Sequence, residues 1–265
     1  MCPIGMSFRC VWKNFWLPRQ IFKQCRLLKT EPDGAEFWET PTGNYWVPRG
    51  GGRTMLAPLI AQQQEKIYGA AGEGVRPGDV VIDCGAHIGL FTKEALAAGA
   101  KLVVAVEPAP ENVVFLRRNL ARKIAENRVV ICEKGVWNEP ATLTMRRQPS
   151  DNSWENFVDP TAPPSGHDLL IPLTTLAHLM TDFHLERVDF IKMDIEGAEQ
   201  RVLSGARGLL AKFHPRLAIA AYHHADDPEK IPALVRDGWP GYRLSCRHCK
   251  ESGHARIMPD VLLFH

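Results

Sequence analysis

Four acidic residues stand where short apolar runs end. Asp83 follows Val80-Val81-Ile82, Glu107 follows Leu102-Val103-Val104-Ala105-Val106, and Asp194 and Glu196 follow Phe190-Ile191-Lys192-Met193. Runs of this length read as buried strands, and in an open α/β sheet ligands gather beyond the carboxyl ends of the strands. One crevice would then collect Asp83, Glu107 and Asp194. After Asp83 come Gly85 and, four residues on, Gly89. The first glycine lets the backbone approach a ligand, and the second lets the following helix pack close to the strand. Glu107, about twenty residues past that turn, is placed to take the two hydroxyls of a ribose. The site expected is one for a nucleoside cofactor.

The details of the turn select which nucleoside. Dinucleotide folds usually carry G-x-G-x-x-G, so that helix-start amides can meet a pyrophosphate. Here the pattern is D-x-G-x-x-x-G, with no third glycine and with Asp83 directly under the turn. A carboxylate there repels a pyrophosphate and attracts an ammonium. S-adenosylmethionine offers an ammonium, a sulfonium and no phosphate, so the pattern favours it over NAD. An NAD-dependent dehydrogenase on the same fold is the alternative, and a catalytically inactive cofactor-binding scaffold is another.

Methyl transfer from a sulfonium needs mainly alignment of the acceptor with the methyl, and positioning can supply as much as roughly 7–11 kcal/mol. A general base at an aliphatic hydroxyl would add about 10²–10⁴-fold. Candidates at strand ends are Asp194, Glu196, His223 and His224. Asp194 is the first choice, as base or as a group orienting the hydroxyl. Adjacent strand residues point to opposite faces, so at most one of His223 and His224 can face the acceptor. Glu196 and Glu199, three apart at a helix start, also suit helix capping. Asp194 and Glu196 with an acceptor diol could bind Mg²⁺, but no dedicated third ligand is visible, and no metal is expected. Cys246, Cys249 and His254 copy three ligands of a zinc knuckle whose fourth cysteine is missing, so the polar tip of a hairpin is the simpler reading.

The elements that position these groups alternate. From Val80 onward, strands and helices take turns, the mark of a mostly parallel sheet with helices on both faces. Helices are expected over 89–98, 111–125, 175–183, 197–212 and 228–237. Strands are expected over 80–82, 102–106, 128–132, 141–145, 169–173, 188–193 and 216–222. Tyr242 to Cys246 and Val261 to Phe264 would close the sheet as an antiparallel pair. Gln148 to Asp168, rich in Pro, Ser and Asp, reads as a loop over the site, with Trp154 available to stack on an acceptor ring. Glu36 to Val47 reads as an aromatic hairpin, Arg49 to Gly52 as a flexible joint, and Leu56 to Tyr68 as a helix. The organisation expected is an N-terminal extension, 1–55, followed by a catalytic domain, 56–265.

Composition narrows the partners. At 265 residues and 45% hydrophobic, the chain can bury one sizeable core. A net charge of +2, without a basic stripe, does not suit nucleic acid as the main partner. Seven widely spread cysteines argue against a disulfide framework and for a reducing cytoplasm. No apolar run approaches the roughly 18 residues of a membrane span. Residues 8–29 interleave aromatics with Arg and Lys, so a weak membrane-surface contact stands beside the simpler reading of a helix packed on the main domain. The expected location is cytoplasmic.

Three blocks in order carry a specific resemblance. They are Val80-Ile82 with Asp83-Cys84-Gly85-Ala86-His87-Ile88-Gly89, then Val106-Glu107-Pro108 with Pro110, Asn112 and Leu116, and then Asp189 to Glu199 with its Ile-Lys-x-Asp-x-Glu-Gly-Ala-Glu string. The chain resembles the FkbM family of S-adenosylmethionine-dependent methyltransferases. The resemblance implies a class I, Rossmann-like methyltransferase fold and O-methylation of a hydroxyl, on a sugar, a secondary metabolite or another small molecule. It also implies that Asp83, Gly85 and Gly89 line the methionine part of the cofactor, with Ala86, His87, Pro108 and Asp194 carried in the same blocks. Glu107 would take the ribose, Asn112 would assist there or brace its own helix, and Glu133, Gly135 and Val136 would flank the adenine. His87 departs from the asparagine expected at its place.

Overall fold

The structure is a computed structural model that describes residues 16–70, 72–147, 154–157, 168–246, 248–251 and 257–265. Residues 16–22 are helical (α1), and β1 (Arg26–Thr30), β2 (Glu36–Thr40) and β3 (Gly43–Val47) form an antiparallel sheet. A π-helical turn, Gly52–Leu56, runs into α2 (Ala57–Gln64). There follow β4 (Val80–Cys84), α3 (Leu90–Ala97), β5 (Leu102–Val106), α4 (Pro110–Ala125) and β6 (Val129–Cys132). Next come β7 (Gly135–Val136), β8 (Ala141–Arg147), β9 (Trp154–Phe157), β10 (Asp168–Thr174) and α5 (Leu176–Asp182). The chain continues through β11 (Phe190–Met193), α6 (Glu199–Gly205), α7 (Arg207–Phe213), β12 (Arg216–Ala220) and α8 (Asp227–Gly238). It ends with β13 (Leu244–Cys246), β14 (Cys249–Glu251), β15 (Ile257–Pro259) and β16 (Val261–Phe264).

The central sheet has seven strands in the order β13-β16-β12-β11-β4-β5-β6. β12, β11, β4, β5 and β6 run parallel, and β16 is antiparallel to both β12 and β13. This is the expected α/β architecture with its terminal antiparallel pair. Parallel strands covered on both faces must be apolar nearly throughout, because neither row of side chains meets water. Alternation sorts the two rows. Ile82, Val104, Ile191 and Ile219 pack on one face with Leu179, Leu203 and Ile231. Val81, Val103, Phe190 and Ala218 pack on the other with Phe91, Leu116 and Leu120. The carboxyl ends of β4, β5 and β11 therefore lie side by side.

Several expectations change. Gly52, expected in a flexible joint, begins the π-helical turn, and a Cβ on it would fall 2.1 Å from the Trp38 ring. The helix expected over 197–212 is two, α6 and α7, meeting at Ala206. A side chain on Gly205 would meet the carbonyl oxygen of Asn138 at 2.6 Å, so the chain turns there against the segment after β7. A second sheet, β7-β10-β8-β9, takes up the strands expected to be accessory. Trp154, expected on a loop, begins β9; residues 148–153 and 158–167 of that segment lie outside the described residues.

The N-terminal elements pack on the main sheet's helices. Ile21, Tyr45, Val47, Leu56 and Ile60 share a buried cluster with Ile88 and Leu90, and Phe115 of α4 packs against it. The expected N-terminal helix gives way after residue 22 to the strand β1. Within 16–29, Trp16, Leu27 and Leu28 are exposed, and residues 8–15 lie outside the described residues. Among the described residues no helix is long and apolar enough to cross a membrane.

Candidate active site

A cavity of about 450 Å³ opens beyond the carboxyl ends of β4, β5 and β11. Its wall includes Gly85, Ala86 and His87 from the turn after β4, and Glu107, Pro108 and Asn112 from the turn after β5. Gly135 and Val136 of β7 and Asp194 and Glu196 after β11 also line it. The opposite wall comes from the π-helical turn and α2, with Met55, Leu59 and Gln63.

Gly85 shows why the turn needs glycine. Its φ is +77°, and a Cβ would stand 2.0 Å from the carbonyl oxygen of Asp194. Only hydrogen fits between the two strand-end turns. Glu107 is nearly buried beneath the same turn. Its Oε2 accepts from the His87 amide at 2.8 Å, and its Oε1 accepts from the Ala109 amide at 3.0 Å and the Asn112 side chain at 3.1 Å. Burial pushes its carboxyl above the usual range, while those three donors pull the other way. Asn112 thus braces Glu107 and lines the cavity at once. The His87 imidazole is pushed down to about 4, by burial first and then by the Lys192 charge, so the ring is neutral.

Asp83 differs from expectation. It is fully buried and is not in the cavity wall. Parallel register sets Lys192 of β11 directly opposite it, on the face covered by α3. Lys192 Nζ lies 3.3 Å from Asp83 Oδ1, and Thr92 of α3 donates to Asp83 Oδ2 at 2.6 Å. The ammonium also donates to the carbonyls of Cys84, at 3.2 Å, and Gly85, at 2.6 Å. Burial works against that charge, but Asp83 and Asp194 outweigh it and raise the lysine above its ordinary value. The carboxylate expected to meet an ammonium on the ligand meets one on the protein. Gly89 also stands back: its φ is +93°, and a Cβ there would crowd Leu116 of α4 rather than a strand. Glu133 turns outward to pair with Arg117, leaving Lys134 with Gly135 and Val136 at the wall.

Asp194, also in the wall, is held by two phenols. Tyr68 donates to its Oδ2 at 2.7 Å and Tyr222 to its Oδ1 at 3.0 Å. Behind it lies His223, with Nε2 3.4 Å from Glu196 Oε2 and 3.7 Å from Asp194 Oδ1, and Nδ1 3.1 Å from Glu199 Oε1. Neither ring nitrogen is aligned for a directed hydrogen bond, so the contact is one of charge. Burial opposes protonation of His223, but Glu196, Glu199 and Asp194 outweigh it and push the imidazole up to about 10. The structure decides between the two histidines. His224 Nε2 lies 2.9 Å from the Gly197 carbonyl, on the exposed side, and its amide donates to Asp227. Glu199 accepts from the Ile195 amide at 2.8 Å, so it caps the helix start and contacts His223 together. His223 stands beside both Asp194 and Glu196, a third candidate ligand that the sequence does not show.

The zinc-knuckle pattern does not assemble: Cys249 is disulfide-bonded, and Cys246 donates to the His248 carbonyl. Among the described residues Cys25, Cys84, Cys132 and Cys246 keep their thiols, so the expectation of reduced cysteines fails at Cys249. His254 lies outside the described residues.

The domain model of the methyltransferase FkbM family matches residues 83–243. The chain belongs to that family. A curated FkbM relative, the 31-O-demethyl-FK506 methyltransferase FkbM of Streptomyces tacrolimicus, is 27% identical over 65% of this chain and 76% of its own length. The methyltransferase sdnD of Sordaria araneosa is also 27% identical, over 59% of this chain and 71% of its own. The crystal structure of methyltransferase FkbM from Methylobacillus flagellatus superposes with a TM-score of 0.50 at 25% identity, covering 71% of this chain and 44% of that one. This FkbM chain is a methyltransferase, and its cofactor is S-adenosylmethionine. The dinucleotide alternative is thereby overturned.

Four residues of this FkbM site take their roles from contacts that their local sequence does not show. Lys192 lay inside the diagnostic string, and a lysine amid Phe190, Ile191 and Met193 signals a buried charge that needs a partner. Glu199 suits a helix cap by its spacing, but its contact to His223 depends on β12. Tyr68 and Tyr222 carried no local signal, because they meet Asp194 from 126 and 28 residues away.

Proposed function

We propose that this FkbM-family protein moves a methyl group from S-adenosylmethionine to a hydroxyl of a small molecule or glycan. The observation that carries this reading is the Asp194 carboxylate, held by two phenols at the cavity wall beside the glycine turn. When bound, the cofactor supplies a methyl already activated by its sulfonium. The chain's own groups fit that cofactor. Glu107, fixed by three donors, accepts from the ribose hydroxyls, with Pro108 beside it. Gly85, Ala86 and His87 border the methionine part, and Lys134, Gly135 and Val136 border the adenine. Asp83 acts from beneath by holding Lys192 against the turn.

Asp194 would orient the acceptor hydroxyl and take up its proton, with the methyl supplied by the bound cofactor. Two tyrosine donors keep the carboxylate from rotating away, the preorganisation that positioning requires. Glu196 shares the wall. His223 faces its carboxylate cluster rather than the cavity and does not serve as the free base. The name of the Streptomyces relative specifies an oxygen as methyl acceptor, which supports a hydroxyl here.

The test is label transfer from methyl-labelled S-adenosylmethionine across a panel of hydroxyl-bearing small molecules and glycans, with amines as controls. A labelled methyl ether is expected, with turnover lowered by about 10²–10⁴-fold in Asp194→Asn. S-adenosylhomocysteine binding should stay within a few-fold. Label on nitrogen alone would overturn the hydroxyl reading, and tight binding with no acceptor turned over would favour an inactive scaffold.

A further inference from the structure

We infer that Asp194, Glu196 and His223 form a divalent metal site at the edge of the cavity, with Glu199 as the carboxylate behind the imidazole. The inference rests on the active-site reading above, since Asp194 and Glu196 also line the cavity. One ligand atom from each of the three lies within 4.8 Å of the others. His223 Nε2 stands 3.4 Å from Glu196 Oε2 and 3.7 Å from Asp194 Oδ1. Metal–nitrogen and metal–oxygen bonds of about 2.0–2.2 Å put neighbouring ligand atoms roughly 3–3.6 Å apart. Both distances from the imidazole fall at or close to that spacing.

The imidazole supplies the independent observation. Its Nε2 is shielded from solvent, and no hydrogen bond satisfies it. A buried nitrogen facing two carboxylate oxygens wants either a proton or a metal between them. The surroundings match a metal's outer shell. Metal-bound histidines almost always present their other ring nitrogen to a carboxylate or carbonyl, and ligating carboxylates are themselves hydrogen-bonded. His223 Nδ1 lies 3.1 Å from Glu199 Oε1, on a glutamate with no solvent exposure. Asp194 is held by Tyr68 and Tyr222. One imidazole with two carboxylates suits Mn²⁺, Fe²⁺ or Zn²⁺ better than Ca²⁺, which favours an all-oxygen set.

Mn²⁺ alone is the probe. Metal-stripped full-length protein is titrated with Mn²⁺, followed by the loss of the free-ion electron paramagnetic resonance signal. S-adenosylhomocysteine binding is measured by calorimetry on the same samples. The expected result is one saturable Mn²⁺ equivalent, weakened at least tenfold in His223→Gln and about 10–100-fold in Glu199→Gln. Both variants should bind S-adenosylhomocysteine within threefold of the parent, which reports that the cavity is folded. Absence of saturable binding in the parent would overturn the site and leave a protonated His223 as the balancing charge. So would Mn²⁺ affinity that His223→Gln leaves unchanged. Failure of the parent to bind S-adenosylhomocysteine would instead strike the cofactor assignments, whatever Mn²⁺ does.

Discussion

A lysine at the centre of a buried strand must bring its counter-charges with it, and Lys192 has Asp83 opposite and two carbonyls of the glycine turn within reach. Breaking a buried pair by removing one partner leaves the other charge uncompensated, which costs about 3–5 kcal/mol. Lys192→Met should therefore lower unfolding free energy in urea by about that much. A loss below about 1 kcal/mol would mean that Asp83 is neutral or rehydrated in the fold. His87 makes a pH prediction. Its folded value near 4 lies below its ordinary 6.5, so over that interval the unfolded chain binds a proton that the folded one refuses. The sign follows: the contribution to stability falls as pH drops from about 6.5 to 4, and it is flat above and below. His87→Asn keeps a residue that tolerates the +52° φ. Its urea midpoint, followed across that window, should lack the acid-side loss specific to the parent.

At the scale of elements, Asn119 of α4 ties the N-terminal sheet to the catalytic core. Its Oδ1 accepts from the Trp46 amide at 2.6 Å, and its Nδ2 donates to the carbonyls of Trp46 at 2.9 Å and Ile88 at 3.0 Å. One side chain serves as a strand partner for β3 and holds the β4–α3 turn. Asn119→Ala removes all three bonds, and at about 1 kcal/mol each the loss should be about 2–3 kcal/mol. Hydrogen exchange locates the effect: the Trp46 amide should exchange faster while β4 and β5 stay protected. Equal acceleration throughout would mean that the hairpin and the core unfold as one unit. The elements themselves were largely legible in the chain, because β4, β5, β11 and β12 are mostly apolar runs between amphipathic helices. The break at Ala206 was not, since it depends on Gly205 pressing on Asn138, far away in sequence. The second sheet escaped for the same reason: β8 and β10 pair across a segment that looks like loop when read alone.

For the whole molecule, local sequence determined the α/β class, the positions of the strand ends and the family. Those follow from apolar runs, glycine spacing and one acidic string, all properties of neighbours along the chain. The same spacing brought Glu107, Gly85, Gly135 and Asp194 to one cavity, because strand ends in a parallel sheet share an edge. Only the tertiary structure decided which charge each carboxylate would meet. Asp83 turned to Lys192 because parallel register sets them opposite on the face under α3. Asp194 gained Tyr68 and Tyr222, and His223 rather than His224 closed on Glu196 and Glu199. The physical reason is the range of the forces involved. Burial periodicity is written in adjacent residues, whereas the partner of a charge is whatever the packing of distant elements leaves within about 4 Å of it.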